Sequence, residues 1–167
     1  MRVTSLAAAV TVTVATMRPI DVRAYTPADR DACLAVFDSN VPAFFTTPER
    51  PEFEKFLATL PGPYIVLRDA EGSVVACGGH AIVADDGRAD MCWGMVRQDL
   101  HGTGIGRALT EARMAAALAD PAVRYVALNT SQHTVGFYEK LGFTTTEVIP
   151  DGFAPGLARC EMRMVVR

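Results

Sequence analysis

The chain of 167 residues lacks several features that would point to a function at once. It has no run of lysines or arginines. Its 16 basic and 19 acidic side chains leave a net charge of −3, so the footprint of a nucleic-acid-binding surface is missing. Its cysteines, Cys33, Cys77, Cys92 and Cys160, form no C-x-x-C pair and no framework spacing, and they read as free thiols in a reducing compartment. His80, His101 and His133 lack ligand spacing too, so no metal site is expected. No apolar run is long enough to span a bilayer, and no membrane role is expected. No Gly-Lys pair exists, which removes the P-loop of nucleotide-binding proteins. The dinucleotide fingerprint G-x-G-x-x-G fails as well: starting it at Gly102 or Gly104 places Arg107 or Leu109 where the third glycine belongs. There is no internal repeat, linker or low-complexity tract.

What is present is a chain able to fold. Half of its residues are apolar, and a chain of this size buries roughly 70% of its extended surface, enough for one domain with a real core. Residues 1–16 stand apart. Arg2 followed by LAAAVTVTVA resembles a short signal peptide, whereas RPIDVRAYTPADR after Met17 reads as the start of a first strand and helix. The expected organisation is a disordered leader or an upstream start over 1–16, and a single domain over 17–167.

Along the chain, Ile20 to Ala24 reads as a strand. Thr26-Pro27-Ala28-Asp29 then reads as a helix start, with a cap, a proline at the first position and an acid at the third, followed by the apolar face Ala32, Cys33, Val36 and Phe37. A second helix carries Phe53, Phe56, Leu57 and Leu60, and Pro61-Gly62-Pro63 stops it. Strands are predicted over Tyr64–Arg68, Val74–Val83 and Ala89–Val96, the last two joined by a hairpin at Asp85-Asp86-Gly87. Gly78 and Gly79 inside a strand imply a bulge or a close backbone approach. Two more strands, near 143–149 and 158–166, close the chain. Composition and periodicity alone support a mixed α/β domain.

The most informative stretch is VRQDLHGTGIGRAL, residues 96–109: a strand end, a glycine-rich turn and the first turns of a helix whose apolar stripe is read as Ile105, Ala108, Leu109, Ala112, Ala115, Ala116 and Ala119. A helix that starts at such a loop offers unpaired N–H groups and a positive dipole end to an anion, and residues without Cβ let a phosphate come close. A second stretch, VRYVALNTSQHTVGFYEKLGF, residues 123–143, reads as strand, helix and strand, with Thr130 and Ser131 as helix caps and Gly142 just past the helix end.

Together these two stretches resemble the GNAT superfamily of acetyl-CoA-dependent N-acetyltransferases. The first matches the family's Gln/Arg-x-x-Gly-x-Gly/Ala pyrophosphate loop at His101, Gly104 and Gly106, departing at His101, and FYEKLGF is a frequent signature of the second. The resemblance covers about Arg18 to Arg167. It implies a mixed central sheet of about seven strands, counted from Ile20, with helices on both faces and a splay after the fourth strand.

It also implies a chemistry. Acetyl-CoA is the cosubstrate, and an amine attacks the thioester directly. The backbone around Met95 and Val96 would polarise the carbonyl. Pantetheine would pair with Val96 and Gln98. The diphosphate would be held by amides from Gly102 through Ala108, a stretch that includes Thr103, Gly104, Gly106 and Arg107, with His101 beside them. Tyr138 would serve as general acid toward the sulfur, or stand as an aromatic wedge. Asn129 would touch pantetheine or acceptor, or act as a cap. His80 or Asp90 could take the amine's proton, although a water relay would serve as well. Trp93 lines the acceptor pocket or packs in the core, and His133 reads as a solvated helix-start residue. The acceptor loop, about Phe37 to Phe56, holds Asn40, Phe44, Phe45, Thr46 and Thr47, which suits a small amine. Acetylation of a protein N-terminus or lysine, and a non-catalytic acyl-CoA-binding module, are the alternatives. Free thiols and a coenzyme A site favour the cytoplasm, and the family admits a homodimer.

Overall fold

In the computed structural model the structure describes residues 19–166 and the short strand Thr11–Val12; the expected leader, apart from those two residues, lies outside the described residues. The strands are β1 (Thr11–Val12), β2 (Ile20–Ala24), β3 (Tyr64–Arg68), β4 (Val74–Val83), β5 (Arg88–Val96), β6 (Tyr125–Ser131), β7 (Thr144–Ala154) and β8 (Leu157–Val165). The helices are α1 (Arg30–Ser39), α2 (Glu49–Thr59), α3 (Ile105–Leu118) and α4 (Val135–Glu139). They form one mixed sheet of order β1-β2-β3-β4-β5-β6-β8-β7, seven strands from Ile20 onward plus the two-residue β1. Neighbours are antiparallel except β5 and β6, which run parallel around the α3 crossover.

The two faces are covered by different helices. Cys33, Leu34, Val36 and Phe37 of α1 and Phe53 and Leu57 of α2 pack with Tyr64, Val66, Cys77 and Met95 of the sheet. On the other face Ile105, Ala108 and Leu109 of α3 meet Leu67, Val75 and Ala76, while Ala117 joins Ala89, Val126, Leu128 and Met162 with α4's Tyr138 against them. The start of the first helix is as expected: Asp29 accepts from both the backbone N–H (2.9 Å) and the hydroxyl (3.1 Å) of Thr26 ahead of α1. Asp29 also pairs with Arg68 of β3.

Three local expectations need correction. The buried stripe of α3 runs through Ile105, Leu109, Arg113 and Ala117; Ala115, Ala116 and Ala119 are exposed. Alanines on every side of the second half of this helix blurred its periodicity. Thr130 and Ser131 are not caps, because β6 runs through them and α4 begins only at Val135. Thr130 instead hydrogen-bonds the hydroxyl of Thr134. Finally, β7 continues to Ala154, past Pro150, because it lies at the sheet edge, where a proline costs no ladder bond.

The glycine after α4 does what FYEKLGF implies. Gly142 sits at φ +97°; its N–H donates to Glu139 O (3.0 Å) and that of Phe143 to Tyr138 O (3.1 Å). That pair of bonds is a Schellman motif, and the accompanying hydrophobic contact is the edge-on packing of Tyr138 and Phe143, 5.7 Å between centroids. A Cβ at residue 142 would also stand 3.2 Å from Met164 Sδ. Gly142→Ala is expected to lower unfolding stability by about 1–2 kcal/mol, the cost of a left-handed non-glycine residue, as measured by chemical denaturation.

Candidate functional site

The site begins where β5 loses its partner. The register with β6 places Arg88 opposite Tyr125, Ala89 opposite Val126 and Asp90 opposite Ala127, and stops there. Beyond it the two parallel strands part, leaving β5's free edge from Met91 to Val96. The other edge of β5 carries a bulge: Cys77 faces Met95 and Gly79 faces Cys92, so Trp93 and Gly94 together oppose Gly78. Trp93 takes φ +41°. Its ring is held by Phe37, Phe45, Phe53 and Phe56, with centroids 5.1–6.3 Å away. Its carbonyl accepts from the Tyr64 hydroxyl at 2.9 Å. Trp93 is thus half-buried and packs against the aromatic core.

The antiparallel ladder decides which backbone groups face the wedge. Arg97 N donates to Val75 O at 2.8 Å. Hydrogen-bonded pairs recur at every second residue, so Cys77 and Met95 are bonded to each other while Ala76 and Val96 are not. The Val96 N–H and C=O thus turn away from β4 and toward the wedge, and Met95's are spent on the ladder. Val96 O accepts from Asn40 Nδ2 at 2.9 Å and lies 3.0 Å from His101 Nε2. Gln98 N donates to Ser39 Oγ at 3.1 Å. Asn40 was expected only as a member of the acceptor loop, and Ser39 was not expected at all; a polar pair closing an apolar helix was the available signal.

The glycine-rich loop opens toward the same place. His101, Gly102 and Thr103 are exposed. Gly102 and Gly104 take φ +76° and +92°, and Gly104 is the residue from which α3 starts. A Cβ at Gly102 would meet nothing within 4 Å. The N–H groups of His101 and Thr103 are bonded to Gln98 and Leu100, and Ala108 N donates to Gly104 O at 3.1 Å. Among the described residues, those of Gly102, Gly104, Ile105, Gly106 and Arg107 have no backbone acceptor. The free donors therefore end at Arg107, one residue short of Ala108. This cradle of outward amides on a helix start fits a diphosphate.

The second sequence stretch meets the first here. Phe137 of α4 lies against α3's first turn: a Cβ at Gly106 would be 3.5 Å from Phe137 Cζ and 3.7 Å from Val96 Cγ2. Tyr138, half-buried, follows with its ring between Phe137 and Phe143. Phe44, from the loop after α1, packs edge-on against His101 (4.8 Å) and His133 (6.1 Å). Phe44, His101 and His133 thus bring loops from three parts of the chain together. Thr46 is not a simple slot residue: its N–H and hydroxyl both bond Glu49. Asn129 is exposed near the end of β6, opposite Glu161.

The two candidate bases lie on opposite faces. Ala89 and Met91 pack under α3, so Asp90 between them faces the α1–α2 side, where it pairs with Arg88 at 2.8 Å. His80 shares a face with Gly78, which abuts Arg113 of α3. His80 is buried, and burial, assisted by the Arg113 charge, pushes its pKa below 6.5. Its imidazole is therefore neutral at neutral pH. An unfolded chain binds that proton more readily than the folded one, so His80 favours the fold above about pH 6.5 and works against it as pH falls. Stability to denaturant should decline below about pH 6.5, and His80→Asn should flatten that decline.

A family model described as the acetyltransferase (GNAT) domain matches residues 41–166. Among solved structures, a GCN5-related N-acetyltransferase from Kribbella flavida is 22% identical, with TM-score 0.70, over 88% of this chain and 98% of that one. The ribosomal-protein-S18-alanine N-acetyltransferase from Escherichia coli is 18% identical, with TM-score 0.71, over 88% and 94%. An aminoglycoside 6′-N-acetyltransferase complexed with coenzyme A is 14% identical, with TM-score 0.70, over 86% and 96%. No curated protein matches the chain by sequence.

Proposed function

We propose, since the chain belongs to the GNAT acetyltransferase family and is an acyltransferase, that it moves the acetyl group of acetyl-CoA to the primary amine of a small molecule. The observation that carries this reading is the meeting of the open amide cradle, the free edge of β5 and α4 at Gly106, Val96 and Phe137.

On this reading the diphosphate takes the free amides of Gly102, Gly104, Ile105, Gly106 and Arg107, with Thr103 and His101 at its side. Pantetheine runs along β5 and bonds Val96 and Gln98. The Val96 carbonyl already has two neighbours, so the pantetheine amide replaces His101 there. His101 is exposed and gives way at little cost, and its imidazole then becomes a donor for the anion. Ser39 releases Gln98 in the same exchange. The Val96 N–H, turned into the wedge, is the donor for the carbonyl oxygen as negative charge develops, an interaction worth several kcal/mol in a site closed to water. The Met95 amide, expected from sequence to share this role, supports it through the ladder.

The amine must arrive unprotonated. The neutral His80 is a competent base by charge, and Asp90 by its place at the root of the wedge. Tyr138 is the donor for the leaving thiolate. Its phenol gives up the proton only as the thiolate charge forms, so it serves by being placed in advance. The free thiols fit a reducing compartment, the cytoplasm. Among the described residues no helix is long and apolar enough to cross a membrane.

Acetyl-CoA and CoA are expected to raise the melting temperature, because they bind the folded state alone. Thiol release across a panel of amines then separates an enzyme from a binder; no shift and no release at saturating acetyl-CoA would end this reading. Tyr138→Phe should lower kcat by about tenfold or more while leaving CoA affinity close to wild type. An unchanged kcat would remove Tyr138 from the chemistry.

A further inference from the structure

Arg113 sits in the middle of α3 with its side chain pressed against the sheet, and it is 2% exposed. A Cβ on Gly94 would stand 2.5 Å from Nη2 and closer still to Nη1, and one on Gly78 would stand 3.0 Å from Cδ. The guanidinium therefore fills a slot that two glycines of adjacent strands leave open, directly behind the bulge of β5.

Arginine stays charged in proteins, and a buried charge without a counter-ion is costly. Among the described residues of this chain there is none. All of its aspartates and glutamates lie within the described residues, and none forms an ion pair or hydrogen bond with Arg113. Its Nε is buried without a partner. Arg68 and Arg159 also carry a buried Nε without a hydrogen bond, yet each pairs with a carboxylate through Nη2, Arg68 with Asp29 and Arg159 with Glu161; Arg88 Nε lies 2.8 Å from Asp90 Oδ1. The Arg113 charge acts on His80, Tyr64 and Cys92. None is anionic at neutral pH: burial pushes His80 down and pushes Tyr64 and Cys92 up. Arg113 is thus an unbalanced positive charge. It lies beside Gly94, on the stretch of β5 that β6 no longer covers and two residues before Val96.

Resting on the acyltransferase reading, we propose that Arg113 recognises a carboxylate carried by one of the two substrates. A planar fork of N–H donors matches a carboxylate with two parallel hydrogen bonds. The wedge above Gly94 is where the acyl group and the amine meet. The carboxylate therefore belongs either to an α-amino-acid acceptor or to a dicarboxylic acyl chain.

Thiol release by the full chain tests this in two arms. The first pairs α-amino acids with their decarboxylated amines, using acetyl-CoA. The second compares malonyl-CoA and succinyl-CoA with acetyl-CoA on a neutral amine. Wild type should favour the carboxylated member of one arm by about thirty-fold or more in kcat/KM, and the arm that responds names the source. Arg113→Met should bring that ratio close to one, and Arg113→Lys should retain part of it. A ratio unchanged in Arg113→Met overturns the proposal, even if both substrates slow together, as they would were the charge serving the reaction's own oxyanion or the packing. Thermal shifts give a readout free of turnover. Amino acids, succinate or succinyl-CoA should raise the melting temperature of wild type and not of Arg113→Met. Unliganded Arg113→Met should melt no lower than wild type, since the unpaired charge is gone. If acetyl-CoA neither binds nor reacts, the acyltransferase reading fails on its own. The lack of any Arg113-dependent shift with the free carboxylates then overturns the proposal separately.

Discussion

Strand β5 holds β6 for three residues and then lets go, and the placing of every other part of the site follows from that release. A strand inside a sheet normally spends its polar groups on both neighbours. Past Asp90, β5 keeps β4 as its strand neighbour among the described residues, and the bulge at Trp93 and Gly94 turns the strand as it leaves. A tryptophan at positive φ is a strained choice. It persists because Phe37, Phe45, Phe53 and Phe56 enclose the ring and Tyr64 holds the carbonyl. The aromatic core under α1 and α2 is thus tied mechanically to the wedge: loosening the core frees the bulge that shapes the site.

The same strand end joins the two halves of the site. Asn40 closes α1 by bonding Val36 O at 2.8 Å and reaches across to Val96 O. Ser39 holds Gln98 N. Phe44, a few residues on, lies against His101. The loop after α1 and the glycine-rich loop therefore meet at one carbonyl, Val96 O. A ligand lying along β5 must break some of these contacts, so a change on one side of the wedge is felt on the other.

Much of this was legible in the sequence, for reasons that differ by element. Ile20–Ala24, Tyr64–Arg68 and Val74–Val83 have the expected bounds because glycine, proline or aspartate punctuates their ends. Gly78 and Gly79 announced a close approach, and both are crowded: Gly79 lies beneath Pro63 O, Gly78 beneath Arg113. The glycine-rich loop and FYEKLGF were readable because each is a local device, a helix start in one and a Schellman end in the other. What escaped was non-local. That Val96 rather than Met95 faces the wedge depends on a register with β4 that no local pattern encodes. Asn40 and Ser39 matter through Val96 and Gln98, more than fifty residues away in sequence. Arg113 was hidden by its alanine neighbours, which make every face of α3 look apolar.

On the readings proposed above, helix α3 addresses negative charge at two points. Its first turn presents free amides and the positive end of its dipole at the loop. Two turns later Arg113 reaches the back of the bulge, about 12 Å along the axis from Ile105 at 1.5 Å per residue. Ile105, Leu109 and Ala117 fix the helix on the sheet between and beyond these points, so neither can shift without the other. A hydrophobic residue at 113 would have continued the stripe and stabilised the packing at no electrostatic cost. On the reading proposed above, a substrate carboxylate neutralises the charge kept there, and Gly78 and Gly94 leave it room.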